Sequence, residues 1–154
     1  MRIREWEETD LGAMIQMGAE MHQESPHYRD IPYDPQSLVR FAKQAIKMRD
    51  AVTALMAVEG PEILGFIIIG MQPYFFSKAM QCVDMLIYVK PIYRMTTPAG
   101  PMLIDAGQKW GFERGALECR FGESTGVVPH LVAKLFEKKG FHEVGRLYAK
   151  RRPE

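Results

Sequence analysis

Apolar and polar residues alternate from Arg2 to Trp6, the period of a strand with one buried face. The period then lengthens. Leu11, Met14, Ile15, Gly18 and Met21 share one helical face, with Thr9 and Asp10 as N-cap candidates and Ser25-Pro26 as the stop. Residues 25 to 35, rich in proline, tyrosine, histidine and charge, read as a loop. Asp34-Pro35 is an N-cap followed by proline at the first helical position, and Leu38, Phe41, Ala42 and Ala45 form a second helical stripe. From Ala51 the pattern shortens again. Val52 to Val58 and Ile63 to Met71 are apolar runs joined by Glu59-Gly60-Pro61-Glu62, which predicts a β-hairpin. A connection carrying Pro73, Tyr74, Phe75 and Phe76 leads to a predicted strand from Gln81 to Val89, ended by Lys90-Pro91. Thr97-Pro98 opens a third helix along Met102, Leu103, Ala106 and Trp110, which ends near Gly115. Ala116 to Phe121 predicts a short strand. Pro129 starts a fourth helix that Gly140 stops, and Phe141 to Lys150 predicts a last strand.

The order β-α-α-β-β-β-α-β-α-β predicts one α/β (α+β) domain over residues 1–154, a mixed sheet of about six strands flanked by four helices. No repeat, low-complexity stretch or linker divides it. A chain of 154 residues buries about 70% of its unfolded surface, so the core needs no disulfide or metal. Lysine and arginine number 20 against 19 acidic residues, a net charge of +1. That balance speaks against strong nucleic-acid binding and against attraction to anionic lipid. Lys150-Arg151-Arg152 is a local basic exception. The first residues lack the apolar core of a signal peptide, and the run Ile63 to Met71 is too short to span a bilayer, so a cytoplasmic protein is expected. Cys82 and Cys119 read as reduced, mostly buried thiols. His22 and His27 have no carboxylate–histidine spacing, and no metal is expected.

Two segments carry candidate chemistry. Gln81 to Trp110 reads as strand, tight turn and helix. Free N–H groups and the positive end of the helix dipole make such a turn an anion site, to which Arg94 adds a charge-assisted contact. Asp84 is the sole carboxylate between Gln81 and Val89. A charge in an apolar strand is costly unless paired, so Asp84 is either a general base or one half of a cross-strand ion pair or exposed face. Glu123 and His130 are weaker candidates for proton or acceptor contact. The second segment, Val132 to Phe141, is an amphipathic helix with a glycine stop.

Ile87-Tyr88-Val89-Lys90-Pro91-Ile92-Tyr93-Arg94 and Ala133 to Phe141, in this order and context, resemble two motifs of the GNAT superfamily of acetyl-coenzyme A-dependent N-acetyltransferases. The resemblance covers essentially the whole chain and is greatest to small acetyltransferase-like proteins of bacteriophages and bacteria. It implies pantetheine in a cleft where two strands splay, bonded to the backbone of Leu86, Ile87, Tyr88 and Val89. It implies pyrophosphate on Arg94 and the N–H groups of Met95, Thr96, Thr97, Ala99 and Gly100, with Phe136 beside the coenzyme. An amine acceptor, whether a small molecule, a protein or a modified base, would attack the thioester directly, with Asp84 as base.

Three positions depart from the family pattern. Thr97 stands where the loop's first glycine belongs, crowding backbone that must approach phosphate. Pro98 removes an N–H donor. Phe136 replaces a tyrosine that protonates the leaving thiolate; Tyr88 or Tyr148 is the substitute, and a thiol of pKa about 8.5 leaves tolerably without help. The short ending implies an incomplete sheet covered by a second copy, a homodimer. The departures together admit another reading, a catalytically inactive GNAT-fold module that binds a host or regulatory protein.

Overall fold

The computed structural model describes residues 1–152. Its centre is a hairpin of two long strands, β2 (Val52–Glu59) and β3 (Glu62–Pro73), with Gly60 in the left-handed region at φ 56° where the turn requires it. Both strands are buried almost throughout, because both faces of the sheet are covered. Met56, Val58, Phe66 and Ile68 face α1 (Leu11–Glu24) and α2 (Pro35–Lys47). The alternate residues Leu55, Ala57, Ile67 and Ile69 face α3 (Ala99–Glu113). The period-2 alternation therefore survives inside runs that read as uniformly apolar.

Among the described residues the sheet has five strands in the order β1-β2-β3-β4-β5, with β1 at Arg2–Glu5, β4 at Met80–Val89 and β5 at Ala116–Arg120. The first four pair antiparallel and β5 joins β4 in parallel. A parallel neighbour needs a crossover, which α3 supplies. Gly111 seats that helix. A Cβ added there would stand 2.5 Å from the Cβ of Cys82, so only glycine allows α3 to approach β4 this closely. Asp34 caps α2 as its sequence implies, its side chain accepting from the Gln36 N–H.

The last predicted strand does not form. After α4 (Pro129–Lys138), residues 141–150 run without strand pairing, and Val144, Leu147 and Tyr148 are 66%, 88% and 87% exposed. The reason lies in the pattern. Phe141 and Leu147 fall on one face of an extended chain, Val144 and Tyr148 on the other, and Gly145 interrupts the middle. Neither face has enough apolar area to hold a register. Phe141 instead stacks near Phe121 and Phe136, with ring centroids 5.4 and 5.2 Å away.

Candidate active site

The site grows from an irregularity in β4. Ile68 pairs with Leu86 but Ile69 pairs with Asp84, so Met85 is an extra residue that bends the strand. On its other side β4 pairs with β5 from Met80 to Val83 and no further. Beyond that point the two strands part, and the edge of β4 from Asp84 to Val89 has no strand partner. A cavity of about 330 Å³ fills the split. Its walls are Asp84 to Val89, the chain after β5 from Gly122 to Val128, the start of α3 at Gly100, and the Leu131–Leu135 side of α4.

Asp84 lies at the bulged end. Its Oδ1 accepts the Gly122 N–H at 2.8 Å. Burial raises the carboxyl to about 6, opposed in part by the backbone hydrogen bonds from Gly122 and from its own N–H. The group is therefore mostly charged at neutral pH yet close enough to it to exchange a proton. Tyr88 is 4% exposed, borders the same cavity, and has its pKa raised by burial and then by the charge of Glu24. Its phenol keeps its proton at neutral pH.

Arg94 is already engaged. Its Nε donates to the Val89 carbonyl at 2.7 Å, and its Nη2 donates to Glu24 Oε2 at 2.6 Å. The other Nη donates to Glu24 Oε1, and the guanidinium carbon sits 5.3 Å from the Tyr88 ring centre. Glu24, the last residue of α1, raises the pKa of Arg94 further.

The turn ahead of α3 is similarly turned inward. The Thr97 N–H and hydroxyl both donate to the Tyr93 carbonyl, at 3.2 and 2.8 Å. The Ala99 N–H donates to Thr97 Oγ1 at 3.4 Å, and the Thr96 hydroxyl donates to the Ile92 carbonyl at 2.7 Å. Ala99 itself is fully buried against the sheet.

The far wall is stapled. Ser25, fully buried, donates to the Thr125 carbonyl and accepts the Tyr28 N–H at 3.0 Å. Tyr28 donates to Ser124 Oγ at 3.1 Å. Glu123 accepts from the Gly126 N–H and the Thr125 hydroxyl, both at 2.7 Å, so its carboxylate closes a turn. Val128, at φ 52°, holds a left-handed conformation that a β-branched residue rarely adopts, and it starts α4 on the cavity wall.

The cavity thus collects Asp84, Leu86, Ile87, Tyr88, Val89, Arg94, Met95, Thr97 and Gly100. Thr96, Ala99, Phe136 and Tyr148 do not line it. Phe136 is turned to Phe141, and Tyr148 stands in solvent on the unpaired tail. Cys82 and Cys119 are register partners behind the split and do not border it. Three residues that the sequence did not single out do bear on the cavity. Lys134 and Lys138 line it from α4, and Glu24 holds Arg94 at its rim. The lysines are legible as an i, i+4 pair on an amphipathic helix, whereas nothing local marks Glu24.

This fold, an antiparallel sheet ending in one parallel strand and split beyond a bulge, is shared with acetyltransferases of known structure. A probable acetyltransferase of known structure aligns with a TM-score of 0.75 at 19% identity, over 100% of this chain and 98% of that one. A transcriptional regulator from Bacillus halodurans C-125 aligns at 0.79 and 21% identity, over 98% and 99%. AAC(6′)-Iy, solved with the bisubstrate analogue CoA-S-monomethyl-acetylneamine, aligns at 0.78 and 17% identity, over 99% and 97%. At these identities the likeness is one of fold. No protein-family model and no curated protein matches the sequence. Among the described residues no helix is long and apolar enough to cross a membrane, and no group of three or more His, Cys, Asp or Glu side chains is gathered as a metal site.

Proposed function

We propose that this protein transfers the acetyl group of acetyl-coenzyme A to an amine. The observation that carries this reading is the edge of β4 from Asp84 to Val89, without a strand partner on this side among the described residues, opening into a cavity with a half-buried carboxylate at its bulged end. The residues fit the coenzyme. An unpaired strand edge offers N–H and C=O groups to a pantetheine amide chain, and Leu86, Ile87, Val89, Leu131 and Leu135 give it apolar walls. Bound there, acetyl-coenzyme A supplies the acetyl thioester.

Asp84 takes the proton that the acceptor ammonium must lose before its nitrogen can attack. A carboxylate with a pKa of about 6 holds its charged form at neutral pH and accepts that proton directly or through water. Tyr88, protonated and at the cavity wall, donates to the departing sulfur. Phe136 has no proton to give, and Tyr148 stands away from the cavity. Met95 and Gly100 border the cavity at the turn before α3, where Arg94 becomes available to an anion only by exchanging its carboxylate partner. Transfer in one complex needs neither a covalent enzyme intermediate nor a metal. The outer edge of β5 carries no strand among the described residues, which supports a homodimer built across it.

A second reading, a binding module of this fold without turnover, is favoured by one specific observation: Arg94 is committed to Glu24 beside a turn whose Pro98 lacks an N–H. Calorimetric titration with acetyl-coenzyme A and with desulfo-coenzyme A separates the two. Micromolar binding, followed by thiol release in a screen of primary amines, is the expected result. Absence of binding at millimolar ligand overturns the transferase reading and leaves the module.

A further inference from the structure

The turn before α3 is poorly equipped to hold phosphate. Pro98 has no N–H, the Thr97 N–H is spent on Tyr93, and the Arg94 fork is closed on Glu24. A coenzyme with a diphosphate and a ribose phosphate carries several negative charges that need partners. The other wall of the same cavity has them. Lys134 and Lys138 sit one helical turn apart on α4 and both line the cavity, and neither forms an ion pair or hydrogen bond with the described residues. A lysine ammonium without a partner is a strong phosphate ligand as a point charge.

Their position is held by packing. Lys139, next in sequence, pairs with Asp105 and ties the end of α4 to α3. Leu135 rests against the start of α3, its Cδ2 lying 3.6 Å from where a Gly100 Cβ would be. The two lysines flank that contact. They therefore stand on the cavity-lining side of α4, whose Leu135 packs against the start of α3, where the helix dipole already favours an anion.

Resting on the transferase reading above, we propose that the phosphates of the coenzyme are gripped by Lys134 and Lys138 of α4 rather than by the turn before α3. The anion-holding role has moved from backbone on one wall to side chains on the other.

The test compares three full-length proteins by calorimetry with coenzyme A at several salt concentrations. They are the unaltered protein, the double variant Lys134→Gln/Lys138→Gln, and a charge-matched control, Lys43→Gln/Lys109→Gln, whose residues do not line the cavity. All four lysines are exposed, so each variant should fold, and far-UV circular dichroism checks this. The cavity variant should bind about tenfold or more weakly, with a shallower dependence on salt, and the control within about twofold of the unaltered protein. A loss that persists with 3′-dephospho-coenzyme A assigns the lysines to the diphosphate and upholds the proposal; one that disappears confines them to the ribose phosphate, leaves the diphosphate to the turn and overturns it. A cavity variant that binds like the control overturns it while leaving the transferase reading standing. Failure of the unaltered protein to bind at all overturns that reading instead.

Discussion

The guanidinium of Arg94 closes as a fork on the carboxylate of Glu24, a residue 70 positions earlier in the chain, beside the buried ring of Tyr88. The pair joins the end of α1 to the rim of the cavity under β4. It also neutralises the arginine that an incoming polyanion would seek.

Glu24→Gln should therefore tighten coenzyme A binding by about threefold to tenfold, since it frees Arg94 and removes a like charge from the phosphates' surroundings. The stability cost should stay near 1 kcal/mol, because the pair is partly solvated. Calorimetry and a thermal melt read both. Weaker binding in Glu24→Gln would mean that the pair holds the cavity wall in shape.

Asp84 ties stability to pH with a definite sign. Its carboxyl rises from 3.8 to about 6 on folding, so between those values the folded chain keeps a proton that the unfolded chain has lost. Stability contributed by this site falls as pH rises through that window, and the full cost of the half-buried charge stands above it. Asp84→Asn removes the cost and keeps an oxygen for the Gly122 N–H. Its denaturant midpoint relative to the unaltered protein should climb from about pH 4 to about pH 6 and then level. Turnover should fall sharply while coenzyme A affinity holds. A midpoint difference independent of pH would place Asp84 in solvent.

Gly111→Ala should destabilise the fold by about 1–3 kcal/mol through overpacking. The new methyl would meet Cys82 Cβ at 2.5 Å, Cys82 Sγ at 2.9 Å and Cys119 Sγ at 3.2 Å. Adding Cys82→Ala should not restore stability, because the closest clash is with a Cβ that alanine keeps. Recovery on urea unfolding would show that the sulfurs set the limit.

Val128 stores strain where α4 begins. Asparagine tolerates the left-handed region better than valine does, so Val128→Asn should raise unfolding free energy by about 1 kcal/mol in urea. Loss of stability would mean that the apolar contact of Val128 with the cavity wall outweighs its backbone cost.

Much of the fold is legible in the residue pattern. Val52 to Val58 and Ile63 to Met71 are long apolar runs on either side of a glycine turn, and they form the central hairpin. Asp34-Pro35 and Pro129 mark helix starts that fall where expected. These signals are local: a cap, a proline, a period. The tail from Phe141 to Lys150 misleads, because its propensity is adequate but its apolar residues divide between two faces.

The site divides the same way. That Asp84 interrupts an apolar strand, that Thr97 and Pro98 impoverish the turn, and that Phe136 lacks a hydroxyl can all be read from the residues alone, because each follows from one side chain in its local context. The parting of β4 and β5 after Val83, the turning of Phe136 to Phe141, the hold of Glu24 on Arg94 and the placing of Lys134 and Lys138 on the cavity wall without an ion-pair partner among the described residues arise only in the folded chain. Those facts depend on which distant segments meet. Packing across a sheet sets such meetings, and spacing along the chain does not encode them.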